Sequence, residues 1–152
     1  MSKQIWGNIT WKLFHSLTIN IKDDIDVTQI QECIKLIKNI CNNLPCPQCA
    51  RDATQLLKKS NISQIKTKAE FKQFMYIFHN KVNVKLKKKV IDYSEIDELH
   101  TASLNSILND FFKVYSNLKH PSAMMLNSFH RHLIINQMRQ YFISNIELYR
   151  LN

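Results

Sequence analysis

A chain of 152 residues that is 45% hydrophobic is long and apolar enough for one domain with a real core, and it is not a disordered chain. Its one glycine and three prolines are too few for the turns of a sheet protein, so the composition points to helices. The formal net charge of +9 attracts polyanions or the phosphates of a nucleotide cofactor, although most of it reads as lysine-rich solvated helix faces.

Asn8 is placed to cap a first helix running to about Ile19, with Ile9, Leu13 and Leu17 on one stripe. Asp26 or Thr28 starts a second, with Ile30, Ile34, Ile37, Cys41 and Leu44 at helical spacing, and Pro45 ends it. Pro47 suits the first turn of a third helix, through about Leu57. Thr67 and Glu70 have capping-box spacing ahead of Phe71, Phe74, Met75 and Phe78, which mark a fourth. The chain then turns polar and basic from Asn80 to Lys89, with a break near Val90. Ser94 or Asp97 begins a fifth helix holding Ile96, Leu99, Leu104, Leu108, Phe111 and Phe112, until His120 and Pro121 interrupt it. A last helix, about Ser122 to Leu148, carries Leu126, Phe129, Leu133, Ile134, Met138, Tyr141 and Phe142. Short loops between helices suggest a compact bundle. The stripe of Phe129, Leu133, Met138 and Phe142 is expected to bury against the core or a partner, and it also supports a purely structural interaction protein as a rival reading.

No apolar run is long enough to span a bilayer, and the segment from Met1 to Asn8 lacks the apolar stretch of a signal peptide. The expected location is the cytoplasm, a reducing compartment in which structural disulfides are rare. Abundant lysine, isoleucine and asparagine hint at AT-rich coding DNA, as in a virus, parasite or endosymbiont.

Four cysteines are present: Cys33, Cys41, Cys46 and Cys49. On an intact second helix Cys33 and Cys41 would be separated by a rise of roughly 12 Å, beyond disulfide reach, so they read as small buried hydrophobes. Cys46 and Cys49 form a CxxC after Pro45, at the expected start of the third helix. That spacing lets both sulfurs face one point, as a small disulfide or as two ligands of a metal. Helix-terminal amides and the helix dipole favour thiolate there, which suits redox work. The alternative is a zinc or iron–sulfur module on Cys41, Cys46 and Cys49, completed by Cys33 or by one of His79, His100, His120, His130 and His132. Plant-type clusters sit in glycine-rich loops and structural zinc normally shows two paired knuckles, so the pattern favours redox chemistry over metal.

Two further segments bear on this choice: Trp6-Gly7-Asn8-Ile9-Thr10-Trp11-Lys12-Leu13-Phe14-His15, and Phe78-His79-Asn80-Lys81-Val82-Asn83-Val84-Lys85-Leu86-Lys87-Lys88. With the central CPxC between them, they resemble the FAD-linked sulfhydryl oxidases of the Erv/ALR family, most like the short forms of large cytoplasmic DNA viruses. The resemblance covers about Lys3 to Tyr93. It implies an all-α fold, a four-helix bundle core with a short fifth helix, holding FAD against a CxxC disulfide. Residues 1–99 would form that oxidase domain, and residues 100–152 a C-terminal helical extension packed on the core or at a dimer interface. Carried over by motif, Gly7, Trp11 and His15 would contact FAD. His79, Asn80, Val82 and Asn83 would line its adenine and ribose side, Lys88 with Lys87 would face the phosphates, and Tyr93 stands where relatives often have tryptophan. Asn8 occupies a position where the family often has arginine.

The resemblance also implies a route. A substrate dithiol attacks Cys46, the sulfur expected to be more exposed, and the electron pair passes through Cys49 and FAD to O2, giving H2O2. No second cysteine pair is available as a shuttle, so the expected donor is a thioredoxin-like or other CxxC redox protein, and the expected assembly a homodimer through the first helices. No membrane or nucleic-acid partner is expected. A viral member would work in the host cytoplasm or the virion.

Overall fold

The computed structural model describes residues 3–99, 102–118 and 125–151. Seven α-helices lie among these residues: α1 (Lys3–Asn20), α2 (Val27–Asn42), α3 (Pro47–Lys58), α4 (Lys68–Lys85), α5 (Glu95–Leu99), α6 (Leu104–Ser116) and α7 (Met125–Asn145). The only β feature among them is one isolated antiparallel bridge, Ile21 with Tyr149.

Helix starts are set by side chains that satisfy free backbone amides. At α2, Asp26 Oδ1 accepts from the Gln29 amide at 2.8 Å and Gln29 Oε1 accepts from the Asp26 amide at 3.1 Å, a reciprocal capping box. Thr67 caps α4 by accepting from the Glu70 amide at 3.1 Å. Ser103 caps α6 by accepting from the Ser106 amide at 3.2 Å.

The expected bundle is present, and α1 is its central rod. Leu13 through Thr18 are six consecutive buried residues, so α1 is covered on several sides rather than along one stripe. It packs against α4 and α6, while α2 packs against α3 and α7. Leu13, Leu17, Ile30, Cys33, Phe71, Met75, Phe111 and Met138 are fully enclosed in a single core to which α6 and α7 also contribute.

Four expectations need correction. Asn8 does not cap α1: the helix already runs from Lys3, so Asn8 lies inside it, exposed. The expected break near Val90 comes earlier, at Leu86 and Lys87. The long fifth helix is two helices, because the Ser103 hydroxyl provides a new cap that restarts the chain as α6. On α7, Leu133 is 48% exposed, whereas Ile134, Ile135, Met138 and Phe142 turn to the core. The start expected at Ser122, and the side chains of Leu126 and Phe129, lie outside the described residues.

Candidate active site

The site begins where α2 gives way to α3. Pro45 has no amide proton to continue a helix, and Cys46 takes an extended conformation (φ −105°, ψ 113°) as the N-cap of α3. Its Sγ accepts from the Cys49 amide at 3.2 Å, and Pro47 occupies the first turn, where no amide is needed. One helical turn therefore carries both sulfurs, which are joined in a disulfide with Cα atoms 5.1 Å apart. Both cysteines are half-buried.

This disulfide lines a cavity of about 180 Å³ between α1, α3 and α4. Helix α1 contributes Trp6, Gly7, Trp11 and Phe14; α4 contributes Phe78 and Val82, followed by Leu86. Gly7, Trp11 and Phe14 are spaced i, i+4, i+7, and Phe78, Val82 and Leu86 are spaced i, i+4, i+8, so each set is one helix face. The apolar walls meet a cationic rim of Lys3, Lys85 and Lys88, all exposed. Lys85 Nζ lies 3.1 Å from Asp52 Oδ1, and this hydrogen-bonded ammonium holds the Asp52 carboxyl below the ordinary carboxylate range.

Behind the cavity wall, the Trp11 ring lies nearly parallel to that of His79, at 3.9 Å and 8°. His79 Nδ1 is 2.8 Å from Nε2 of the buried His15. These contacts hold the Trp11 plane. Asn80 makes paired hydrogen bonds with Ile91: its Nδ2 donates to the Ile91 carbonyl and its Oδ1 accepts from the Ile91 amide, both at 2.9 Å. The Asn83 Nδ2 donates to Asn80 Oδ1 at 3.3 Å. At the end of α4, the Lys87 amide donates to the Val84 carbonyl at 3.1 Å and the Lys88 amide to the Asn83 carbonyl at 2.8 Å. This is a Schellman turn with Lys87 left-handed at φ 58°.

Of the residues expected at the site, Gly7, Trp11, Cys46, Cys49, Val82 and Lys88 share the cavity. His15 and His79 stand behind Trp11. Asn80, Asn83, Lys87 and Tyr93 do not line it. Tyr93 instead meets the Tyr76 ring edge-on at 5.2 Å with Lys72 over its face. Phe14, Phe78 and Lys85 escaped the sequence reading as site residues, because aromatics at helical spacing read as core and lysines as solvated surface. Extending the Gly7–Trp11 and Val82 positions by one helical period finds them.

Among the described residues no three metal-ligating side chains converge, and the disulfide occupies two of the sulfurs that the metal reading needed. His100, His120 and His130 lie outside the described side chains.

Residues 8–101 match the Erv1 / Alr family. The chain belongs to the Erv1 / Alr family. It is 32% identical over 117 residues to the FAD-linked sulfhydryl oxidase of African swine fever virus (isolate Tick/Malawi/Lil 20-1/1983), a match covering 74% of this chain and 98% of that protein. It is 29% identical over 97 residues to the FAD-linked sulfhydryl oxidase ERV1 of Oryza sativa subsp. japonica, covering 64% of this chain and 50% of that protein. The crystal structure of the FAD binding domain of Erv1 from Saccharomyces cerevisiae superposes with a TM-score of 0.58 at 26% identity, covering 64% of this chain and 92% of that one.

The cavity of this Erv1 / Alr member fits a flavin on its own geometry. A Cβ built on Gly7 meets nothing within 4 Å, so the space beside this helical glycine is open and no protein atom fills it. Aromatic and aliphatic walls suit a flat aromatic ring, the disulfide lies along the same cavity, and the cationic rim suits a pyrophosphate.

Proposed function

We propose that this chain is an FAD-linked sulfhydryl oxidase that forms disulfides in a partner dithiol through Cys46 and Cys49. The observation that carries the reading is that their disulfide lines the cavity that Gly7 leaves open. A substrate thiolate attacks Cys46 and forms a mixed disulfide, expelling Cys49 as thiolate. The second substrate thiol resolves it, so the substrate leaves as a disulfide and the enzyme pair holds two electrons as thiols. Cys49 lies in the first turn of α3, where amides and the helix dipole favour the departing negative charge. FAD, when bound, supplies the acceptor for this electron pair and its delivery to O2 as H2O2.

Within this assignment Gly7, Trp11 and Val82 face the ring, and His15 and His79 hold Trp11 in plane. Lys88 faces the phosphates, and Asn80 and Asn83 act by fastening the turn that presents Lys88. Lys87 and Tyr93 contribute from the outer surface. Residues 1–99 form the oxidase body, and residues 100–152 the C-terminal extension, whose α6 and α7 pack on α1 and α2. Cys33 and Cys41 are buried free thiols and cannot relay electrons, so the donor is a thioredoxin-like or other small CxxC redox protein working in the cytoplasm. A homodimer would use surface other than the α1 side that α6 already covers, and sedimentation equilibrium distinguishes it from a monomer. No described helix is long and apolar enough to cross a membrane.

The test is to purify the protein, release its flavin by denaturation, and follow O2 consumption with dithiothreitol. Cys46→Ser and Cys49→Ser should each abolish turnover while leaving a folded, yellow protein. Near-normal dithiol oxidation by either variant, or a protein that takes up no FAD, overturns the reading.

A further inference from the structure

If the oxidase reading holds, flavin and substrate must reach one disulfide from two directions. The cavity described above uses one face of α3: Gln48, Cys49, Asp52, Ala53 and Leu56. A second cavity of about 390 Å³ uses the other face: Pro47, Ala50, Arg51, Thr54, Gln55 and Lys58. The two sets share no α3 residue, and at 100° per residue they point to opposite sides of the helix. The end of α2, Asn42 to Leu44, forms the facing wall of the second groove, and Leu44 lines both cavities. Cys46 itself lines the first cavity, but its chain neighbour Pro47 lines the outer groove, so the groove starts one residue from the sulfur that is attacked.

Charge is sorted across α3 in the same way. Its one carboxylate, Asp52, faces inward and is bonded to Lys85. Its two cations, Arg51 and Lys58, face outward, and no acidic residue lines the outer groove. The Arg51 guanidinium donates to Gln48 Oε1 at 2.8 Å, and Gln48 in turn donates to Asp52, so Lys58 is the groove cation farther from that carboxylate. From Pro47 to Lys58 the groove runs roughly 16 Å along the helix, the span of about five extended residues. Thr54 Oγ1 donates to Asn42 Oδ1 at 2.7 Å, which ties the two walls together, and Asn43 Nδ2 donates to the Asn39 carbonyl at 2.8 Å. The Asn42 amide NH2 and the Gln55 carboxamide have the chemistry to pair with a peptide backbone.

We infer that this outer groove docks the substrate protein, as an extended acidic segment flanking the cysteine that attacks Cys46. The inference rests on the oxidase reading and adds the substrate class to it. The experiment uses two dithiol peptides with one common CxxC core, flanked by Asp and Glu in one and by Lys and Arg in the other. Dithiothreitol oxidation is measured in the same preparations. The wild-type protein should favour the acidic peptide in kcat/KM by about tenfold at low salt, with the preference shrinking at ~0.5 M salt. Lys58→Glu, about two and a half turns from Cys49, should lower or invert that ratio. Equal kcat/KM for the two peptides, a preference for the basic one, or an unchanged ratio in Lys58→Glu overturns the groove assignment. Failure to oxidise dithiothreitol overturns the oxidase reading instead.

Discussion

Gly7 shows most directly how one residue links sequence to chemistry. A glycine inside a helix costs stability relative to alanine. No left-handed backbone is needed here, since the chain has no glycine with positive φ among the described residues. No neighbouring protein atom crowds the position either. The remaining reason for glycine is the open space beside it, on the wall shared with Cys46, Cys49 and Trp11. Gly7→Ala should therefore raise the stability of the flavin-free protein by about 0.5–1 kcal/mol and weaken FAD binding. Urea unfolding and a flavin titration check the two halves, and an unchanged FAD affinity would remove Gly7 from the site.

At the scale of the element, the end of α4 decides what reaches the cavity. The Schellman turn stops the helix after Lys85 and brings Lys88 into the lining, and it does so with lysine rather than glycine at the left-handed position. A side chain at positive φ costs roughly 1–2 kcal/mol that glycine avoids. Lys87→Gly should stabilise the protein by about 1 kcal/mol, read as a higher urea midpoint. Because Lys87 is exposed and off the cavity, flavin affinity should fall far less than in Lys88→Ala. A comparable loss in both variants would place Lys87 on the phosphates after all. The paired Asn80–Ile91 hydrogen bonds fasten the segment after this turn back onto α4.

For the whole molecule, the C-terminal helices are integral to the core. The Tyr115 hydroxyl on α6 lies 2.7 Å from the buried Thr10 hydroxyl on α1. The Arg150 amide donates to the Asn20 carbonyl at 2.7 Å, and the Lys22 amide to the Leu148 carbonyl at 2.8 Å. The Tyr149 hydroxyl donates to Cys33 Sγ at 3.2 Å and lies 2.5 Å from the Tyr141 hydroxyl. Burial pushes the Cys33 thiol up to about 11 and the Cys41 thiol to about 12, from an ordinary value near 9.0. Burial raises Tyr141 and Tyr149 as well. Between pH 9 and these raised values the unfolded chain has lost protons that the native state keeps. Stability is therefore full below about pH 9 and falls as pH rises, by up to about 1.4 kcal/mol per pH unit for each cysteine. The urea midpoint should drop steeply above pH 9, and less so in Cys41→Ala relative to its own value at neutral pH. A flat midpoint through pH 10.5 would contradict the burial of both thiols.

Helix type, the Asp26, Thr67 and Pro47 starts, and the CxxC with its flanking motifs could all be read from the chain, because caps, prolines and 3.6-residue periodicity act over a few neighbours. The Asn80 bonds to Ile91 and the left-handed backbone of Lys87 could not, since a carboxamide or a lysine in a polar run looks the same whatever it meets in the fold. The same holds for Phe14 and Phe78, whose apolar rings serve core and cavity alike. Which side of α1 meets α6, which side of α3 meets the cavity, and where Leu133 points follow only from how the helices pack. Packing chooses among faces that local sequence leaves equivalent, and it does so by enclosing apolar surface contributed from distant parts of the chain.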